Sequence, residues 1–492
     1  MQPQAPLGRR DFLKLSGLAA LASGIEPLSH AAAAVTAAPQ SHADYALRIG
    51  KARVDLGPDH TISTTTYNGQ FPGPLLRLTE GRRVVVDIFN DTDVPEQLHW
   101  HGQNLPADVD GAAEEGTPYI PAHGMRRIAF TPGPAGLRFY HSHLLAGANL
   151  AAGLYSGQAG PVYIEPKREP GRFDREVILV LKEFEPTLSR GGDMAMDFLV
   201  PATTDHTLRE TGEAAMTASL RRGMPHGYEV GYSLFSINGR LLGHGEPLRV
   251  KHGERVLFHV LNASATEIRS LALPGHTFTV VALDGNPVPV PAPVPALWLG
   301  TAERVSAIVE MNHSGVWVLG DLDDDDRNHG MGIVVEYAGA KGKPQWRKPQ
   351  SATWDYTRFG TGTAQAPDEL FELLFAKNNA ALHGFNQWTI NGTAFSMPTM
   401  TAMLHLQRGR RYRLRLRNAS DDIHPVHLHR HSFELTKIAG QATAGVKKDV
   451  VMLGGYQDIE IDFVADNPGL TLFHCHQQLH MDFGFMALFS YA

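Results

Sequence analysis

The chain repeats one pattern three times, and this repetition constrains its fold more than any other feature. Asn68-Gly69, Asn238-Gly239 and Asn391-Gly392 each follow an aromatic or β-branched residue. Each leads to a glycine, a strand-like run and an asparagine: Gly81 to Asn90, Gly253 to Asn262 and Gly409 to Asn418, nine residues apart every time. The runs between them (RRVVVDIFN, ERVLFHVLN, RRYRLRLRN) alternate with the period of a strand. Repeats of about 150–170 residues are whole domains rather than solenoid units. The expected fold is all-β, with three sandwich domains at 45–166, 172–340 and 345–492. Glu165 to Arg172 and Ala340 to Pro349 read as linkers.

The repeats also locate the chemistry. Nine and eleven residues after the marker asparagine, the first copy has His99 and His101, the third has His427 and His429, and the second has Leu271 and Leu273. Near the end of the first copy stand His141 and His143; near the end of the third, His474 and His476; the second has no histidine there. Residues i and i+2 of a strand share a face, so each pair presents two imidazoles in one direction. Eight imidazoles around one centre are too many for one metal and too many for two tetrahedral zincs with an open position. They suit three coppers gathered between the first and third copies, with the second as a spacer.

Cys475, the only cysteine, lies between His474 and His476 and faces the other way on an extended strand. With His424 and His480 it forms a Cys-His-His set, the trigonal blue-copper donor type. Pro425 is expected to disturb the strand and let His424 leave the face shared by His427 and His429. Two copper sites joined through one residue predict electron transfer between them through the backbone.

Composition narrows the alternatives. A lone cysteine cannot form an internal disulfide, and 43% hydrophobic residues suffice for cores without one. A net charge of −7 gives no ground for binding nucleic acid or an anionic membrane. Arg9-Arg10-Asp11-Phe12-Leu13-Lys14, the apolar run Leu15 to Ala22 and the Ala-rich stretch Ala31 to Ala38 read as a twin-arginine export signal over 1–40. The mature protein is then expected to be periplasmic or secreted, delivered by the twin-arginine machinery. The apolar run is too short for a permanent membrane anchor.

His99-Trp100-His101-Gly102, His141-Ser142-His143, His424-Pro425-Val426-His427-Leu428-His429 and His474-Cys475-His476 with His480 resemble the four copper motifs of multicopper oxidases, from about residue 60 onward. The resemblance implies three consecutive cupredoxin-like Greek-key sandwiches and four copper ions. His424, Cys475 and His480 would hold the type 1 ion, and His99 and His427 the type 2 ion. His101, His141, His143, His429, His474 and His476 would hold the type 3 pair. It also implies four-electron reduction of O2 to water, with electrons drawn singly from a small reducing substrate. A laccase-like oxidase of phenols or aromatic amines is the expectation. A Cu(I) oxidase in copper tolerance and a copper-free structural or cell-division protein on the same fold are the alternatives. A third copy and eight cluster histidines argue against a two-domain nitrite reductase.

Some positions depart from the family pattern. Phe485, ten residues after the cysteine, stands where a weak axial ligand is usual; Met481 and Met486 are the nearby methionines. Asp110 matches an acid that family members place beside the cluster, where it is expected to relay protons. Gln478 and Met481 stand where some relatives carry a second acid. Arg430 replaces a glycine common in relatives, and on alternation it points away from the cluster. His431 reads as a neighbour of the ligands rather than a ligand. Met194, Met196, Met216 and Met224 read as loop or core filling in a Gly-rich loop, and Asp323 to Asp326 as a solvated loop. His244, His252 and His313 read as surface.

Overall fold

The computed structural model describes residues 42–168, 171–189, 198–200, 204–221, 223, 226–350 and 352–491. The expected export signal, Met194, Met196 and Met224 lie outside them. Among the described residues no helix is long and apolar enough to cross a membrane.

Every sheet is drawn from one of three stretches. The first stretch has a four-stranded sheet ordered His60–Tyr67, Tyr45–Gly57, Val84–Asn90, Gly124–Phe130. Its second sheet is ordered Leu76–Thr79, Ala159–Glu165, Gly136–His141, His99–His101. The second stretch contributes six-, three- and two-stranded sheets, and the third contributes seven- and five-stranded ones. In each stretch a long first strand pairs in parallel with the patterned run: Tyr45–Gly57 with Val84–Asn90, Arg175–Ser189 with Arg255–Asn262, and Glu369–Leu382 with Arg411–Asn418. The fold is mostly β, with cupredoxin-like domains.

The repeated asparagines are structural ties. Asn68, Asn238 and Asn391 have φ of 54°, 54° and 50°, a left-handed conformation that asparagine tolerates better than most residues. Each side-chain oxygen accepts from the long first strand, at Arg48, Val180 and Leu374 respectively. Asn90, Asn262 and Asn418 close the corner after the patterned run. Each donates its amide to carbonyls across the sandwich end and accepts the backbone N–H two residues on, at Thr92, Ser264 and Ser420. One hydrogen-bonding job at each position explains why the same residue recurs at the same spacing.

Three expectations need correction. Within this mostly β fold His206–Arg221 is a 16-residue helix, so Met216 sits on a helix rather than in a loop. Asp205 caps it, accepting from Thr207 and Leu208 N–H. Pro425 does not break its strand, because His424–Leu428 is continuous. His424 leaves the face of His427 simply because three steps along a strand reverse the side. Asp323 caps the short helix Asp324–Asn328, in which Asp324 pairs with Arg327, while Asp326 pairs with Arg269. Ala340 to Pro349, read as the second linker, touches the second stretch at two points: Gln345 bridges to Trp317, and the Arg327 guanidinium lies 3.9 Å from the Trp346 ring centre.

Candidate metal centre

The two histidine-bearing strands of the first stretch are neighbours in register, with His99 opposite His141 and His101 opposite Phe139. In the third stretch Thr471–Cys475 lies beside His424–Leu428, with His427 opposite His474 and Val426 opposite Cys475. The eight expected cluster histidines are each at most 2% exposed. They converge in overlapping groups whose ligand atoms lie within 4.8 Å of one another, including His99/His427/His429, His99/His101/His141 and His143/His429/His474.

Several of the rings are aimed by an oxygen acceptor. His99 Nδ1 donates to the Asp110 carbonyl at 3.0 Å, and His427 Nδ1 to the Asp449 carbonyl at 2.6 Å. His141 Nδ1 reaches the Ser142 carbonyl and His474 Nδ1 the Cys475 carbonyl, both at 2.8 Å. An N–H committed to oxygen leaves the other ring nitrogen as a lone-pair donor. Those nitrogens point inward. His99 Nε2, His427 Nε2 and both ring nitrogens of His143 and His476 are buried without a hydrogen-bond partner. His429 Nε2 faces His474 Nε2 at 3.0 Å, and His141 Nε2 faces His101 Nδ1 at 3.4 Å. Buried orphan lone pairs are costly unless something fills the space between them. The residues therefore fit metal ions.

Electrostatics agree with this. The pKa values of His101, His141, His427, His429, His474 and His476 are held well below the usual imidazole value, first by burial and then, in part, by charge repulsion from neighbouring rings. Neutral imidazole is the ligating form.

Cys475 faces the opposite side. Its Sγ lies 3.6 Å from His424 Nδ1 and 3.5 Å from His480 Nδ1, and the two nitrogens are 3.2 Å apart. Burial raises the thiol pKa, so only a bound metal would hold it as thiolate. Phe485 is fully buried, with its ring 4.7 Å from that of His424. Met481 and Met486 instead pack with Leu472 and Leu488. An aromatic wall, not a thioether, thus stands beside this donor set. One residue separates the two pockets, which are linked through the backbone on either side of Cys475.

Asp110 is fully buried, with Oδ2 3.0 Å from His99 Nδ1 and 2.9 Å from His429 Nδ1. The sequence reading missed three other acids. Glu115, on the turn Ala113–Glu115, lies 3.7 Å from His429 Nδ1 and accepts from the Leu472 N–H. Burial and then Asp110 raise its carboxyl pKa well above normal. Glu114 lies 3.6 Å from His143 Nδ1; burial works against its charge, but His143 outweighs this and holds the pKa below normal. Asp449 Oδ1 accepts from His101 Nε2 at 3.1 Å, and the same carboxylate takes both Arg304 nitrogens at 2.6 Å and Arg138 at 3.1 Å. Asp110-Gly111 followed by acids was the available signal for the glutamates. Asp449 follows two lysines and reads as a surface turn.

Arg430 points away from the cluster, as alternation expects. It has φ of 61°, which explains why glycine suits this position, and its guanidinium donates to the carbonyls of Leu105, Asn467, Pro468 and Leu470. It thereby anchors the loop that enters the Cys475 strand. His431 Nδ1 donates to the His429 carbonyl at 3.0 Å, and its Nε2 accepts from the Tyr491 hydroxyl at 2.6 Å. It is not among the converging rings. His244, His252 and His313 are exposed.

Models of the multicopper oxidase family match residues 49–169, 203–335 and 366–492. The multicopper oxidase MmcO of Mycobacterium tuberculosis is 31% identical, covering 98% of this chain and 96% of that protein. Laccase-3 of Thanatephorus cucumeris is 24% identical, covering 91% of each. The crystal structure of a multi-copper oxidase from Pseudomonas thermotolerans is similar with a TM-score of 0.68 at 25% identity, covering 91% of this chain and 98% of that one. The chain belongs to the multicopper oxidase family, and is a copper-dependent oxidoreductase that uses O2 as acceptor.

Proposed function

We propose that the chain is a laccase-type oxidase whose reductant is a small phenol or aromatic amine. A cavity of about 720 Å³ carries this reading; His480 and Gln477 form part of its wall. That volume suits a small organic molecule, whereas a bare metal ion needs only a few converging ligands. Phe198 and Trp298 supply an apolar wall, and Glu229, Glu267, Asp321 and Asp422 supply acid. Laccases among the relatives support the same reading. The carboxylates are also the observation that favours the second reading, a metallo-oxidase acting on Cu(I).

His424, Cys475 and His480 are the proposed type 1 ligands, and His99 and His427 the type 2 ligands. His101, His141, His143, His429, His474 and His476 are proposed for the type 3 pair. Copper, when bound, supplies the one-electron couple at Cys475 and the four-electron reduction of O2 at the cluster. The protein's own part is to orient the rings, keep them neutral, exclude water and deliver protons. Asp110 touches two cluster rings and is the proposed proton relay. Asp110→Asn is expected to lower kcat about a hundredfold while leaving the colour of the Cys475 site unchanged; unaltered kcat would remove it from that role.

The substrate reading is tested on copper-loaded protein with a neutral phenol, an aromatic amine, a quaternary-ammonium aromatic donor and Cu(I). Burial, then Asp422, pushes Glu229 up to about 8, and burial pushes Glu267 up to about 7. Both acids are therefore neutral at pH 6 and ionised by pH 9. KM for the permanently cationic donor is expected to fall roughly tenfold over that range, relative to the neutral phenol. Turnover of Cu(I) with none of the organic donors would overturn the proposal.

A further inference from the structure

We propose that Lys377 is a fixed positive charge that raises the reduction potential of the copper held by His424, Cys475 and His480; the inference rests on that ligand assignment. Strand register places it there. Glu369–Leu382 pairs antiparallel with Phe385–Ile390, setting Lys377 directly opposite Trp388. Opposed residues share a face, as does Phe375 two positions earlier. That face is one wall of the Cys475 site. The Trp388 ring centre lies 4.2 Å from that of His480 and 4.9 Å from that of His424, and Phe375 lies 4.7 Å from Phe485. Lys377 Nζ sits 5.5 Å from the Trp388 ring centre, with its side chain only 9% exposed. A single aromatic ring separates the ammonium from the proposed copper ligands.

The charge is permanent. Burial works against it, but Asp422 and Asp421, at 2.9 and 2.5 Å from Nζ, outweigh burial and raise the ammonium pKa. A nearby positive charge disfavours the more positive, oxidised metal, and the interior screens it weakly. The two carboxylates oppose this effect, so removing Lys377 also leaves them unbalanced beside the site. Asp422 lies on the wall of the substrate cavity. The knot thus touches the substrate cavity through Asp422 and the aromatic wall of the copper site through Trp388.

The test is a redox titration of the thiolate-to-copper absorption against a one-electron mediator, on full-length copper-loaded protein. Lys377→Met should shift the exchange equilibrium about tenfold towards oxidised copper, which is 59 mV for one electron. Lys377→Arg, which keeps the charge, should stay within about threefold of wild type. Asp421→Asn should move the equilibrium the other way. An unshifted Lys377→Met with its absorption intact would overturn the proposal. If Lys377→Met loses the band, Asp421→Asn decides: a shift towards reduced copper supports the proposal, and no shift or the opposite one defeats it. A wild-type protein lacking the band would refute the ligand assignment itself rather than the role of the lysine.

Discussion

Cys475→Ser is expected to abolish both the intense thiolate-to-copper absorption and the oxidase activity, with turnover down at least a thousandfold. Serine is nearly isosteric, so the strand Thr471–Cys475 and its pairing with His424–Leu428 should survive. Three effects combine at this one atom. The sulfur is the only thiol the chain can offer as a soft thiolate donor. It sits within 3.6 Å of both His424 Nδ1 and His480 Nδ1, and no other thiol is present to replace it. It is also the covalent link to His474 and His476. The variant should therefore keep the cluster ions while losing electron entry, so copper content drops by one ion per chain as activity vanishes. A colourless Cys475→Ser protein with near wild-type turnover would show that electrons enter elsewhere. Full copper content without colour would show that serine still holds the ion.

Asp449→Ala should be the most destabilising single change near the cluster, costing about 3–5 kcal/mol. Asp449 is 1% exposed as a side chain and accepts from two fully buried guanidinium groups, Arg304 and Arg138. Arg138 belongs to the first stretch of sheets, Arg304 to the second and Asp449 to the third. Asp284 and Glu303 extend the knot by sharing Lys448 at 3.0 Å each. Burial, reinforced by the Arg304 charge, already pulls the Arg138 guanidinium down to about 10 despite its acidic partners. Deleting the carboxylate leaves two buried cations facing each other, which is far costlier than losing an exposed ion pair. It also removes the acceptor for His101 Nε2. Urea unfolding of the copper-free protein is the measurement, since bound copper would mask the change by mass action. A midpoint equal to wild type would mean that the knot contributes no net stability.

The parts of this molecule that were legible in the sequence follow a short period or a local hydrogen bond. The HxH pairs read correctly because strand alternation alone puts His99 with His101 and His427 with His429. The marker asparagines read as repeats because each makes the same tie to its own strand and corner. What could not be read depends on partners far along the chain. Asp449 looks like a turn residue after two lysines until Arg138 and Arg304 arrive from more than a hundred residues away. Lys377 looks like an ordinary solvent-facing strand residue until the strand register places Trp388 opposite it and Asp421 and Asp422 close over its ammonium. Glu114 and Glu115 lie in a run of small residues that resembles a surface turn, yet the turn is folded against His143 and His429. The helix His206–Arg221 was obscured by Gly212 in its middle, a residue that normally weakens a helix. There a Cβ would come within 2.5 Å of the Ala419 carbonyl oxygen, so close packing against the third stretch requires the glycine. Its cap, Asp205, was the signal to use.

Copper analysis of the reconstituted wild-type protein, combined with its visible and electron paramagnetic resonance spectra, tests the central claim most directly. Eleven side chains converging in two linked pockets predict four ions per chain, one giving the intense thiolate band and two coupled and silent in the resonance spectrum. One or two ions per chain, or four without the thiolate band, would contradict it.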